Sequence, residues 1–410
     1  MSQSRAERKF RRRIEAAVRL LENGDFDSAI GTLEALLQRS PASHQPEVLN
    51  YLATIAHGIG DNSRALAYLY EIAKLTPNDT EAWCQIGNLY LEVNDFENSI
   101  KAYERLVELA PNNAEPLIQL GNALLLNESY ARAIHVYHTA LDLSPHHPTG
   151  WASLAKTLLL EGQWEEGLSA AQRQLSISPG HIGGLALKSV ALQELNLEAE
   201  LRELVDFDRL ICSFDITPDR GEFRNIKAFN QELVTYCNDH PSLRYEPTNN
   251  TTRVGWQTSD MSQDDVPVID QLLKMIETCI HQYMRDHPVD TEHQFLKNRP
   301  TNWDYSIWGT ILNSHGHQVS HIHNNGWLSG VYYTQLPSTI VSSAKSDNTD
   351  GWIEFGRPHN PKSVVTPKIR TYQPIEGRLY LFPSYFYHRT VPFEADIDRI
   401  SIAFDLIPRN

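Results

Sequence analysis

Along the first half of the chain, apolar and small residues return in the same phase. Pro77, Pro111, Pro145 and Pro179 follow one another at intervals of 34 residues, and Pro41 precedes the series by 36. Small residues hold one phase between them: Ala53, Gly87, Gly121 and Ala155 early in each unit, Ala29, Ala65, Ser99, Ala133 and Gly167 later. Large apolar residues hold another, with Trp83, Leu117 and Trp151 in register. The pattern predicts pairs of helices. Small residues sit where two helices approach closely, and each proline ends a second helix and opens the turn to the next pair. One pair cannot bury its apolar stripe alone, so neighbours must stack and share a core. About five pairs fit between residues 10 and 179, and a degenerate sixth, LALKSVALQELNLEAELRELV, runs to Val205 as a cap.

The pattern changes near residue 206, where Pro218 and Gly221 punctuate the text. Two helical periods follow, Ile226 to Cys237 and Val266 to Tyr283, with a polar, turn-rich stretch between them. From Trp303 onward β-branched and aromatic runs dominate: DYSIWGTIL, QVSHIH, LSGVYYTQL, WIEF, RTYQPI, GRLYLF, RTVPFE and RISIAFDL. About eight short strands with helices ahead of them predict a jelly-roll barrel. Residues 338–351 and 360–366 read as loops at its mouth. The expected fold class is multidomain: an all-α superhelix over 1–206, then an α+β domain over 207–410. In the second domain, 207–300 forms a helical front and 301–410 the jelly-roll core.

Composition narrows the function classes. Net charge is −15, which argues against bulk affinity for nucleic acid or an anionic membrane surface. The exception is a basic start (Arg5, Arg8, Lys9, Arg11, Arg12, Arg13), read as the solvated face of an opening helix. The apolar run after it is broken by Glu15 and Arg19, so it is neither a signal peptide nor a membrane span. Cys84, Cys212, Cys237 and Cys279 lack metal or redox spacing and read as reduced thiols, so a cytoplasmic protein is expected.

The chemistry concentrates near the end of the chain. His315, His317, His321 and His323 all fall on odd positions, and residues two apart on a strand share a face. His321 and His323 can therefore aim two imidazoles, common ligands for transition metals, at one point. His388 sits in an aromatic run, and Arg399 and Ser401 follow it in RISIAFDL. If the strand stays extended, His315 and His317 lie too far along it to join the same point.

The 34-residue period resembles the tetratricopeptide repeat. That resemblance implies a concave groove that takes a protein or peptide, with Asn88 and Asn122 as partner-binding residues. The later motifs, HIHNNGWLSGVYY, GRLYLFPSYFYH and RISIAF, resemble the double-stranded β-helix oxygenases that use Fe(II) and 2-oxoglutarate, in an uncharacterised bacterial branch. Extended upstream through RVGWQTSDM, the resemblance covers about half the chain. It implies Fe(II) on His321, His323 and His388, and 2-oxoglutarate held by Arg399, Ser401 and Tyr333. The repeats would recruit a protein or peptide substrate for a dioxygenase; neither nucleic acid nor membrane is expected as a partner.

One position departs from the wider family. Its facial triad is two histidines and a carboxylate, whereas His323 stands at the carboxylate position here. Glu354 and Asp405 are the spare carboxylates that would complete the shell if His323 does not. The same departure supports an alternative: a scaffold protein whose jelly-roll domain binds metal or ligand without efficient catalysis.

Overall fold

A computed structural model describes residues 5–216, 225–248, 250–342, 348–358, 360, 362–363 and 365–409. Pro218 and Gly221 lie outside the described residues, as do parts of the two mouth loops.

Helix starts in the repeat region are set by polar caps. Asp25, Asp61 and Asp95 each accept a hydrogen bond from a backbone N–H three residues on, opening α2 (Phe26–Leu37), α4 (Asn62–Leu75) and α6 (Phe96–Leu109). Asp79 accepts from the N–H groups of Glu81 and Ala82, and Asn113 from that of Glu115, opening α5 (Thr80–Glu92) and α7 (Ala114–Leu126). With α1 (Arg5–Glu22), α3 (Gln45–Gly58) and α8 (Tyr130–Leu143) these make the first four pairs. Two more follow: α9 (Gly150–Glu161) with α10 (Trp164–Ile177), and α11 (Ile182–Glu194) with α12 (Glu198–Leu204). Pro77, Pro111, Pro145 and Pro179 each fall two residues beyond the end of a second helix. The glycine phase also has a cause. A Cβ on Gly87 would lie 2.6 Å from the Tyr103 ring, and one on Gly121 would lie 2.5 Å from Tyr137.

Packing gathers the chain into two units, before and after the Thr157/Leu158 junction. The first holds most of the repeats. In the second, α10, α11 and α12 share a core with the elements beyond residue 206: Leu175, Leu185, Leu192 and Leu204 belong to one buried cluster with Phe229, Ile276, Phe295 and Trp327. The first strand lies beyond α12, at Cys212–Asp215, while the compact unit that contains it begins at Leu158. The last pairs bury their apolar faces on the C-terminal domain. Lys188 Nζ reaches Gln294 Oε1 at 3.0 Å, and Tyr385 donates to the Leu204 carbonyl at 2.5 Å.

The domain after α12 opens with α13 (Phe207–Leu210), β1 (Cys212–Asp215), α14 (Ile226–Asp239), β2 (Arg244–Tyr245), β3 (Thr252–Gln257) and α15 (Pro267–Asp286). The core follows: β4 (Trp303–Gln318), β5 (Leu328–Gln335), α16 (Ser338–Ser342), β6 (Ile353–Phe355), β7 (Arg370–Tyr372), β8 (Arg378–Pro383), β9 (His388–Thr390) and β10 (Arg399–Pro408). Seven strands form an antiparallel sheet in the order β1-β8-β5-β10-β4-β3-β2, and three form a second, β7-β6-β9. Phe355 of β6 meets Phe382 of β8 at 4.8 Å between ring centroids, so the inner faces close on each other as a jelly roll.

Three details differ from the sequence reading. The front of the domain contributes β1, β2 and β3 to the larger sheet, besides its two helices. QVSHIH forms no separate strand: Gln318 ends β4, and His321 makes only an isolated bridge to His388. Within β4, before Gln318, lies a bulge, where the β3–β4 register steps from Arg253 opposite His317 to Gly255 opposite Leu312. The positive φ of His315 (67°) lies inside that irregular stretch.

The phase of β10 sorts the chemistry from the core. Ile400, Ile402, Phe404 and Leu406 are buried on the face that meets α14 and α15, as is Tyr332, whose hydroxyl donates to Asn230 at 2.5 Å. Arg399, Ser401 and Asp405 alternate with them and face the barrel interior. No described helix is long and apolar enough to cross a membrane.

Candidate metal centre and carboxylate cradle

His321 and His388 lie opposite each other, exchanging backbone N–H to carbonyl bonds of 3.0 Å in both directions. The chain then leaves the sheet, and His323 is fixed by its N–H to the Ser384 carbonyl at 3.0 Å. These restraints bring one ligand atom from each of the three histidines within 4.8 Å of the others. The Nε2 atoms of His321 and His323 stand 3.1 Å apart. Two nitrogens at about 2.1 Å from one ion in adjacent positions would be separated by about 3 Å.

The opposite ring nitrogens fix the tautomers. Nδ1 of His321 faces the Val319 carbonyl at 2.8 Å and Nδ1 of His388 faces the Phe386 carbonyl at 2.9 Å. A carbonyl only accepts, so each Nδ1 carries the proton and each Nε2 keeps its lone pair. Burial, and then the neighbouring His323, push the His321 imidazole down to about 3. Burial, with His321 and His323 adding to it, holds His388 well below its usual range. Both rings are thus neutral, the form a metal requires. Phe382 and Phe355 wall the site, with ring centroids 4.8 and 5.9 Å from His388, and Trp308 lies 5.5 Å from His323. The donor set therefore fits a transition metal.

Asp405 is not a free ligand. Its Oδ1 meets Nδ1 of His323 at 2.5 Å and accepts from Ser329 Oγ at 2.6 Å. Glu354 is committed too, paired with Arg357 and Arg389 at 2.6 Å each. Burial alone would raise its pKa, but hydrogen bonds from the two arginines hold it below the ordinary value. Arg389 is thereby tied into the smaller sheet.

Arg399 is 2% exposed. Its Nη1 reaches Ser401 Oγ at 3.3 Å, its Nε donates to the Gly351 carbonyl at 3.1 Å, and its guanidinium lies 5.0 Å from the Tyr333 ring centroid. No described carboxylate pairs with it, Asp398 being taken by Asn313. Tyr333 on β5 and Thr310 on β4 flank Ser401 in register. The Thr310 hydroxyl is buried without a partner among the described residues. The Tyr333 hydroxyl lies beside the guanidinium but forms no hydrogen bond of good geometry with a described residue. A buried cation ringed by under-used hydroxyls fits a carboxylate of 2-oxoglutarate. Sequence reasoning missed Thr310, whose only signal is its register opposite Ser401.

The remaining candidates lie elsewhere. His315 is exposed and His317 half-buried on β4, outside the three-histidine cluster. In the first unit, Asn88 and Asn122 each accept from a tyrosine of the paired helix, Tyr103 at 2.6 Å and Tyr137 at 2.7 Å. Each carboxamide oxygen thus has one of its two lone pairs taken. Asn88 lines a pocket of about 210 Å³ with Thr54, His57, Gln85 and Glu92.

Residues 306–405 match the family described as "Putative 2OG-Fe(II) oxygenase". Residues 14–80 match a tetratricopeptide repeat family, and residues 92–174 match the family of anaphase-promoting complex, cyclosome, subunit 3. The first half of the chain thus matches repeat families, and residues 306–405 match a domain described as "Putative 2OG-Fe(II) oxygenase". No curated protein matches it. Among solved structures, it is 18% identical to a tetratricopeptide repeat protein from Parabacteroides merdae, with a TM-score of 0.42, over 48% of this chain and 78% of that one. MamA from Desulfovibrio magneticus RS-1 is 21% identical (TM-score 0.36; 41% of this chain, 94% of that one). YrrB, described as a TPR protein with an unusual peptide-binding site, is 20% identical (TM-score 0.35; 39% and 84%).

Proposed function

We propose that this protein is a 2-oxoglutarate- and Fe(II)-dependent dioxygenase whose repeats recruit a protein or peptide substrate. The observation that carries the reading is the pairing of two sites on one barrel interior. The Nε2 atoms of His321, His323 and His388 converge, and Arg399, buried without a carboxylate partner among the described residues, lies on the same face as Asp405 behind them.

In this reading His321, His323 and His388 hold the iron through Nε2, with tautomers fixed by Val319, Phe386 and Asp405. Arg399 binds the far carboxylate of 2-oxoglutarate, and Ser401, Thr310 and Tyr333 offer hydroxyls around it. Burial raises the Tyr333 phenol well above its ordinary value, so it stays protonated and able to donate. Phe355, Phe382 and Trp308 exclude water around the histidines. Iron and 2-oxoglutarate, when bound, supply the oxidising chemistry with O₂, hydroxylating a C–H bond and releasing succinate and carbon dioxide.

Fe(II) binding and succinate release test the reading together. Wild-type protein given Fe(II), 2-oxoglutarate and air should form succinate. His321→Ala and His388→Ala should each lose the metal, because two imidazoles hold iron poorly. Full iron occupancy in both variants, or no succinate from wild type with any peptide pool, would favour the scaffold alternative.

A further inference from the structure

We infer that Asp405 is a positioning and charge partner of His323, supplying one hydrogen bond behind the metal the negative charge that a carboxylate ligand would bring directly. This rests on the metal-centre reading above. Three neutral imidazoles leave a divalent ion with one more positive charge than two imidazoles and a carboxylate. The histidines are not equivalent in this respect: Nδ1 of His321 and of His388 meets a backbone carbonyl, and only His323 meets a carboxylate. A carboxylate accepting Nδ1–H makes the opposite nitrogen more basic and fixes the ring toward the metal.

The surroundings of Asp405 are arranged for this. The residue is 8% exposed, and among the described residues no lysine or arginine forms a salt bridge with it. A buried carboxylate without a cation is costly, and a cation held across the imidazole would offset that cost. Ser329 Oγ donates to the same oxygen and lies 2.8 Å from Ser384 Oγ, while the Ser384 carbonyl holds the His323 backbone. Carboxylate, ring and loop are thus one network. It has room because residue 326 is glycine: a Cβ there would lie 2.7 Å from Ser384 Oγ and 3.2 Å from Asp405 Cβ.

The test is Co(II) binding to the full-length protein without oxygen, read by competition with a chelator and by the Co(II) visible spectrum. Asp405→Asn, close to isosteric, should weaken Co(II) roughly 10- to 100-fold and shift the spectrum, while the metal-free protein melts as wild type does. In a His323→Asp background the ligand brings its own charge, so Asp405→Asn should weaken the metal no further, or should tighten it by relieving the paired carboxylates. An equal loss in both backgrounds overturns the inference, since Asp405 would then act on the fold or the general field. Wild-type affinity in Asp405→Asn, while His321→Ala has lost Co(II), overturns it and leaves the metal centre standing. Undiminished binding in Asp405→Asn, His321→Ala and His388→Ala alike overturns the metal centre and this inference with it.

Discussion

On the proposed function, Arg399 is the residue whose replacement best separates co-substrate binding from metal binding. Arg399→Ala should keep Co(II) affinity close to wild type, because no described contact joins the guanidinium to the three histidines. It should raise the 2-oxoglutarate KM roughly 10- to 150-fold, the loss of a charge-assisted contact of about 1.5–3 kcal/mol. Arg399→Lys should recover part of that, since an ammonium keeps the charge but not the planar fork. Steady-state succinate release checks both; an unchanged KM in Arg399→Ala would remove the carboxylate cradle. The phase of Arg399 and Ser401 is legible in the sequence because they are neighbours on one strand. Thr310 is not, because strand pairing across 91 residues of chain puts it opposite Ser401.

At the scale of elements, the smaller sheet depends on one buried carboxylate. Glu354 of β6 sits opposite Arg389 of β9 and also holds Arg357. Glu354→Gln should destabilise the protein by about 1.5–3 kcal/mol at neutral pH, since each hydrogen bond to a charged group is lost or weakened. The pH dependence follows from the lowered pKa. Below the ordinary value of 4.5 the unfolded chain takes up a proton that the folded one refuses. The stabilisation is therefore complete above that value and is lost as pH falls through the folded pKa. Thermal melts of wild type and Glu354→Gln should converge as the pH drops below 4.5; a gap that persists there would contradict the ion-pair account. Element identity was legible where periodicity was long, as in the paired helices and in α14 and α15. It was not legible in β1 to β3 or around His315, because short strands and a bulge are set by the neighbour they pair with.

For the whole molecule, the last repeats belong energetically to the C-terminal unit. A chain beginning at His147 should fold cooperatively, because it keeps α9 whole and leaves Leu185, Leu192 and Leu204 covered. A chain beginning at Phe207 should be insoluble or bind hydrophobic dye, since the core partners of those three leucines would be exposed. Solubility and thermal melts of the two decide it. If the first unit recruits substrate, the chain from His147 should also lose most turnover on the native protein substrate. Succinate release without substrate should survive, and equal activity of both forms on that substrate would remove the recruitment role.

The sequence alone determined what is periodic or local. The 34-residue phase dictates stacked helix pairs, because each unit must bury the same stripe, and the two-residue phase of the strands dictates which side chains share a face. It also determined the candidate residues, since His321, His323, His388, Arg399 and Ser401 stand in the order the oxygenase resemblance requires. Tertiary structure decided what those residues touch. His323 and Asp405 are 82 positions apart and meet only because the loop after β4 is pinned to Ser384 while β10 is held between β4 and β5. Whether a spare carboxylate would bind metal directly or stand behind an imidazole depends on backbone hydrogen bonds made far away along the chain, and spacing in one dimension does not encode them.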